Sequence, residues 1–200
     1  MIDWGLVADV LGAAAGLIAA VVAAWAALKA YPDWLKRQTY QRKSERAEQI
    51  LASFYECRRS INSVRSVIQF ATEVAEAVQT LKDNGVEIEN DNTPLVTAQV
   101  QMTRMNKERA VWDKLINVIP FASVNFGEKV EKALEEALRV RQEFVSAAST
   151  YPNADGELLT NLRQKLFHND PDDMEDDFNR RLRESEETLY ANLSKYIEAE

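Results

Sequence analysis

The chain has 200 residues, with 24 basic and 32 acidic side chains and a formal charge of −8. Six glycines and five prolines leave little room for a sheet with its turns, and a single cysteine, Cys57, excludes an internal disulfide. The acidic balance argues against a broad phosphate-binding surface, and there is no phosphate loop, zinc-ligand set or nucleophile motif.

The first element is apolar. Val10 to Leu28 is a run of 19 residues without a charge, nine of them alanine. As a helix rising about 1.5 Å per residue it is long enough to cross a bilayer core. Leu11, Leu17, Ile18, Val21, Val22, Trp25 and Leu28 supply its hydrophobic drive, and Trp4, Tyr31 and Trp34 lie near its ends. Such aromatics favour the headgroup level. Gly12, Gly16, Ala20 and Ala24 recur every four residues. That small-xxx-small ridge lets helix backbones approach closely and predicts self-association in the membrane. A buried helix of a soluble domain is the alternative for this segment. A cleaved signal peptide fits poorly, because the residues before the run are acidic.

Charge then sets direction. Lys29, Lys36, Arg37, Arg42, Lys43 and Arg46 form a basic collar, with only Asp33 and Glu45 against them. Positive-inside logic places the amino terminus outside and the remainder in the cytosol. The collar could also touch anionic lipid.

The rest reads as helices. Pro32 can start a new helix or bend the first. A seam of Ala47, Ile50, Phe54, Cys57, Ile61, Val64, Ile68, Ala71, Ala75 and Val78 steps 3-4-3-4, the pattern of a helix packed on helices. It predicts a long helix over 32–82, closed by Gly85 in a left-handed cap. Residues 86–93 read as a polar link. Further helices are expected over about 94–119, 124–149, 157–168 and 171–197, with Pro120 as a breaker. Asp170 and Pro171 read as the cap and first residue of the last helix. Its inward residues are expected to be Met174, Phe178, Leu182, Leu189, Leu193 and Ile197. The Arg58–Arg59 pair suits interhelical salt bridges. The expected fold is all-α: a transmembrane helix within 1–31, then a cytosolic domain over 32–200 with a helical stalk and an antiparallel bundle.

The sole histidine, His168, stands in the run Leu162 to Asp170. Arg163, polar Gln164, three further positions and His168 resemble the signature of HEPN domains. These are all-helical bundles, and many are metal-independent ribonucleases. The resemblance implies a groove between two subunits, with His168 as acid/base group, Arg163 clamping the scissile phosphate and Gln164 in the polar second place. RNA would be the partner in that case. A base that takes the 2′-hydroxyl proton and a cation beside the phosphate are what such cleavage needs.

The overall plan also resembles membrane-anchored, HEPN-like accessory proteins of RNA-targeting CRISPR systems. That resemblance implies a bacterial inner-membrane protein that assembles with itself as a ring-like pore or membrane-perturbing effector in antiviral defence, with a CRISPR or other defence protein as partner. A non-catalytic membrane scaffold or adaptor, whose stalk displays an acidic docking surface, is the other alternative.

Acids crowd beside the motif: Asp170, Asp172, Asp173, Glu175, Asp176 and Asp177. They would repel a phosphate backbone. Two non-catalytic readings therefore stand beside cleavage. Arg163 and His168 could pair with the acidic helix start and join two helices, or they could form a regulatory groove. The acids lack the twelve-residue spacing and glycine of an EF-hand loop, so no metal and no cofactor are expected.

Overall fold

A computed structural model describes residues 4–88, 93–168, 170 and 172–197. Among them the regular structure is helical, with no strand. The elements are α1 (Trp4–Val64), α2 (Ala71–Asp83), α3 (Pro94–Lys107), α4 (Arg109–Phe126), α5 (Glu128–Thr150), a 3-10 turn (Tyr151–Asn153), α6 (Gly156–Leu166) and α7 (Asp177–Ile197). The chain divides into two compact units, Met1–Glu45 and Arg46–Glu200, and α1 contributes to both.

In the first unit α1 is helical through Pro32. Proline removes one backbone N–H, and here the lost bond lies on an exposed stretch where the orphan carbonyl is open to solvent. Leu17, Val21, Val22, Trp25 and Leu28 are all more than half exposed. The segment is long and apolar enough, by length and composition, to cross a bilayer. Tyr31 stacks on Trp34 at 6.0 Å, and Lys29 sits over the Trp25 ring at 4.5 Å.

The second unit is a packed body. Its main core draws Ile50, Phe54, Cys57 and Ile61 from α1, Trp112 and Leu115 from α4, Leu134 and Phe144 from α5, and Leu182 and Leu189 from α7. α5 lies against α3, α4, α6 and α7. Trp112 is fully buried, and its indole N–H donates to Ser60 Oγ at 3.2 Å, so its one polar atom is satisfied. A second, smaller core joins α2 and α3 through Ala77, Val78, Leu81, Val96 and Val100.

The long helix ends sooner than its seam suggests. The 3-4 pattern holds to Val64 and then fails: Ile68 is 63% exposed, and Ala71 and Ala75 face solvent. Two arginines explain the break. Arg65 turns inward and is 1% exposed. Arg104 reaches from α3 to take the carbonyls of Val64 (3.3 Å), Ser66 (2.9 Å) and Ile68 (2.5 Å). It also grips both carboxylate oxygens of Glu73, at 2.9 and 2.6 Å. Glu73 accepts from the Phe70 N–H at 3.0 Å, so one carboxylate caps α2 and holds the arginine that closes α1. Its hydrogen bonds to Arg104 outweigh burial and lower its pKa.

Other boundaries also move. Gly85 takes φ +77 with its N–H on Lys82 O at 2.9 Å, the expected left-handed cap. Val86 and Ile88 pack on the α2–α3 core rather than forming a purely polar link. The rest of that link, 89–92, lies outside the described residues. Thr93 caps α3 through a 3.2 Å bond from the Val96 N–H, with Pro94 in the first turn.

The expected helix over 94–119 is two helices, divided at Glu108, and Pro120 lies inside α4. Pro120 and Ile116, whose carbonyl loses its partner, are both exposed, so water can take that carbonyl. Gly127, at φ +91, divides α4 from α5.

The last helix begins at Asp177 rather than at 171. The first carboxylate able to serve the helix N–H groups is Asp176, which accepts from the Asn179 N–H at 2.9 Å. Met174 therefore sits in the preceding turn, 43% exposed, instead of pointing inward. Pro171 lies outside the described residues.

Candidate functional site

The titratable residues converge where α6 ends and α7 begins. Helix ends leave carbonyls unpaired at one terminus and N–H groups at the other. Arg65 serves the first set: its Nε and Nη2 donate to Lys165 O and Gln164 O, both at 2.9 Å. Asp176 serves the second. The two side chains then join, Nη1 to Oδ1 at 2.8 Å and Nη2 to Oδ2 at 2.5 Å. A cation at the negative end of α6 thus meets an anion at the positive end of α7, and each dipole favours its partner. The Phe178 ring lies 5.0 Å from the Arg65 guanidinium.

Burial pushes the Asp176 carboxyl upward, but the Arg65 hydrogen bonds, the Asn179 N–H and the nearby charges of Arg65 and His168 outweigh it, so its pKa falls below the usual value. The turn between the helices is tied down as well. Asn179 Nδ2 donates to Asp170 O at 2.9 Å and to Asp173 O at 3.3 Å.

His168 sits in this frame. Its backbone N–H donates to Arg65 O at 2.9 Å. Its Nδ1 lies 3.7 Å from Asp176 Oδ2, and its Nε2 lies 3.6 Å from Asp173 Oδ2. Those distances are ion-pair range and too long for hydrogen bonds. The surrounding cleft has a volume of 690 Å³.

Within one chain the three expected residues do not share one cleft. His168 lines the cleft, and Gln164 does so while its carbonyl is held by Arg65. Arg163 is exposed on α6 and does not line it. The arginine beside the histidine is Arg65, a hundred residues away in sequence. Four hydrogen bonds already occupy its donors, so it has little left for a substrate phosphate. Of the two helix-joining partners expected, His168 stands near the acids, and Arg65 fills the role expected of Arg163.

Nearby polar side chains reinforce the same junction. Arg58 pairs with Glu186 on α7 and lies 3.7 Å from Asp172. Arg181 lies between Glu136 (2.6 Å) and Glu143 (2.8 Å) of α5 and Asp177 (3.1 Å). Hydrogen bonding to Glu143 leads the effects that raise the Arg181 pKa above its ordinary value.

Elsewhere, Cys57 is buried, and burial pushes its thiol up to about 12, which rules out a ready nucleophile. No group of carboxylates, histidine and cysteine among the described residues could hold a metal ion.

Gly12, Gly16, Ala20 and Ala24 are exposed on α1, and a Cβ added at Gly12 or Gly16 would meet nothing within 4 Å. Lys29, Lys36, Arg37 and Arg42 are exposed, and Lys43 is half-buried. Arg46 belongs to the packed body: its guanidinium reaches Asn125 Oδ1 at 3.3 Å and lies 5.5 Å from the Phe121 ring.

No protein family, no curated protein and no solved structure matches this chain.

Proposed function

We propose that the chain is a membrane-anchored helical protein that associates with itself through α1. The supporting observation is the exposure of the apolar face residues from Leu17 to Leu28 in a helix that otherwise contains no charge between Val10 and Leu28. In water such a surface is costly, at roughly 25 cal/mol for each Å² of apolar area. In a bilayer the cost vanishes.

The basic collar orients this anchor with the amino terminus outside and the body, a stalk and an antiparallel helical bundle, in the cytosol of a bacterial cell. The open ridge of Gly12, Gly16, Ala20 and Ala24 supplies a contact for neighbouring spans. The resemblance in plan to CRISPR-associated membrane proteins extends the reading to a pore-forming or membrane-perturbing effector in antiphage defence, with a defence protein as trigger. The ribonuclease alternative draws less support, because a carboxylate stands on each side of His168 and would repel an RNA phosphate.

The test uses full-length protein in membranes. It should stay with the membrane fraction after an alkaline carbonate wash and give a crosslinked ladder in mild detergent. Gly16→Leu should shorten that ladder, since a bulky side chain holds the spans apart. Release by carbonate would overturn the anchor, and an unchanged ladder would overturn the ridge.

A further inference from the structure

We propose that the cleft between α6 and the turn before α7 docks a basic, aliphatic segment of a partner protein. This reading is independent of whether α1 spans a bilayer. The floor of the cleft is apolar, built by Leu162, Phe167 and Phe178, with carboxylates including Asp173 and Glu175 also lining it.

The internal pairings decide which charges remain for a visitor. Asp176 is satisfied by Arg65, and Asp177 by Arg180 and Arg181. The cations of the cleft are drawn away too: Arg65 to Asp176, and Lys165 toward Glu143 at 3.3 Å. Glu175 is exposed. Asp173, whose Oδ1 accepts from the Glu175 N–H at 2.8 Å, has its other oxygen 3.6 Å from the His168 imidazole and pairs with no arginine or lysine among the described residues. Asp172, beside the cleft, is taken up by Arg183 at 3.5 Å and Arg58 at 3.7 Å, so the negative rim rests on Glu175 and Asp173.

Leu158 is 50% exposed on this surface, a large aliphatic side chain open at the mouth of a cleft. An occupant that matches both features alternates lysine or arginine with aliphatic residues. Anionic lipid and nucleic acid match the floor or the fold of the cleft but not its rim, since both present negative charge to it. Charge complementarity therefore selects a protein segment. The turn that carries the rim is held by Asn179 and Arg65, so the cleft is built before the partner arrives.

The experiment uses the full-length chain in a non-ionic detergent. The probe is a fluorescein-labelled hexapeptide alternating lysine and leucine, read by anisotropy, with glutamate–leucine and lysine–serine hexapeptides beside it. Binding to the micelle is common to wild type and variants and cancels. The lysine–leucine peptide should bind, and the other two should not. Glu175→Lys and Leu158→Ser should each weaken binding by about tenfold or more. Both positions are exposed, and melting curves are recorded beside wild type. Glu175→Gln and Leu158→Ala replace any variant that melts early. Equal binding by wild type and variants, equal binding of the glutamate–leucine peptide, or no binding of the lysine–leucine peptide would overturn the proposal. A fall in oligomer mass on Leu158→Ser would overturn it as well, because a second copy of the chain would then be the occupant.

Discussion

The two units of this chain invert one another. In residues 46–200 a charge is buried: Arg65 is 1% exposed and encircled by two carbonyls, a carboxylate and an aromatic ring. In residues 1–45 apolar side chains are exposed, with Leu17 at 69% and Leu28 at 74%. Each arrangement is unfavourable by itself in water. The buried charge is made tolerable by partners inside the body. For the exposed apolar side chains of the first unit, lipid or another span would be the partner on the function proposed above. The same rule, that every group finds its complement, gives a self-sufficient body and, on the proposed function, a dependent anchor.

The largest expected effect breaks the first half of that comparison. Arg65→Ala leaves Asp176 as a mostly buried carboxylate with its main partner gone and strands the carbonyls of Gln164 and Lys165. A loss of about 3 to 5 kcal/mol is expected, read as a drop in the denaturant midpoint of the body. Its pH dependence adds a signature. A carboxylate whose folded pKa is lowered stabilises the fold above its unfolded value, near 4, and the gain is lost as pH falls through the folded value. Asp176 and Glu73 both have lowered values, so the wild type should weaken on acidification in that window. Arg65→Ala should weaken less steeply there. A variant as stable as wild type would mean the node contributes nothing.

A somewhat smaller effect breaks the second half. Val21 is 64% exposed in the middle of the apolar run. Val21→Arg should cost about 2.5 to 3.5 kcal/mol of insertion, while leaving the melting of the body unchanged. The readout is the fraction released by carbonate washing. In a soluble chain an arginine at so exposed a site would change nothing measurable, so retained behaviour would remove the reason to read α1 as an anchor.

Which parts of this were legible in the sequence follows from the range of the forces involved. The apolar run, the left-handed Gly85, the Pro94 start and the buried faces of Phe54, Leu134 and Leu189 depend on residues a few positions apart, and periodicity reports them. The end of α1 does not. No glycine or proline marks it, and the residues that set it are Arg104, 40 positions from Val64, and Asp176, 111 positions from Arg65. A hint was present: Arg65 follows directly on the last good seam residue, and Ser66, Val67 and Ile68 are weak helix formers. Pro120 misled for the opposite reason. An interior proline costs a hydrogen bond and a clash with the carbonyl four residues back. At Pro120 both fall on an exposed turn, while Leu115, Val118 and Ala122 on the other face stay packed. Exposure cannot be read from the residue itself. The candidate site was half legible. Acids beside His168 announced an electrostatic junction, but its arginine came from another helix.

That last point yields the smallest predicted effect, and it separates local motif from assembled site. Arg163 has the spacing to His168 of the HEPN-like signature, yet it is exposed on α6 and outside the cleft. Surface substitutions of that kind shift stability by about 0.5 kcal/mol or less. Arg163→Ala should therefore melt with wild type, within that margin, while Arg65→Ala does not. If the two variants lost stability equally, the arginine of the motif would hold the junction in solution and the α6 terminus would have to be arranged differently. If Arg163→Ala kept its stability, any effect it had on function would have to arise at the surface, through a subunit or partner that meets the exposed face of α6.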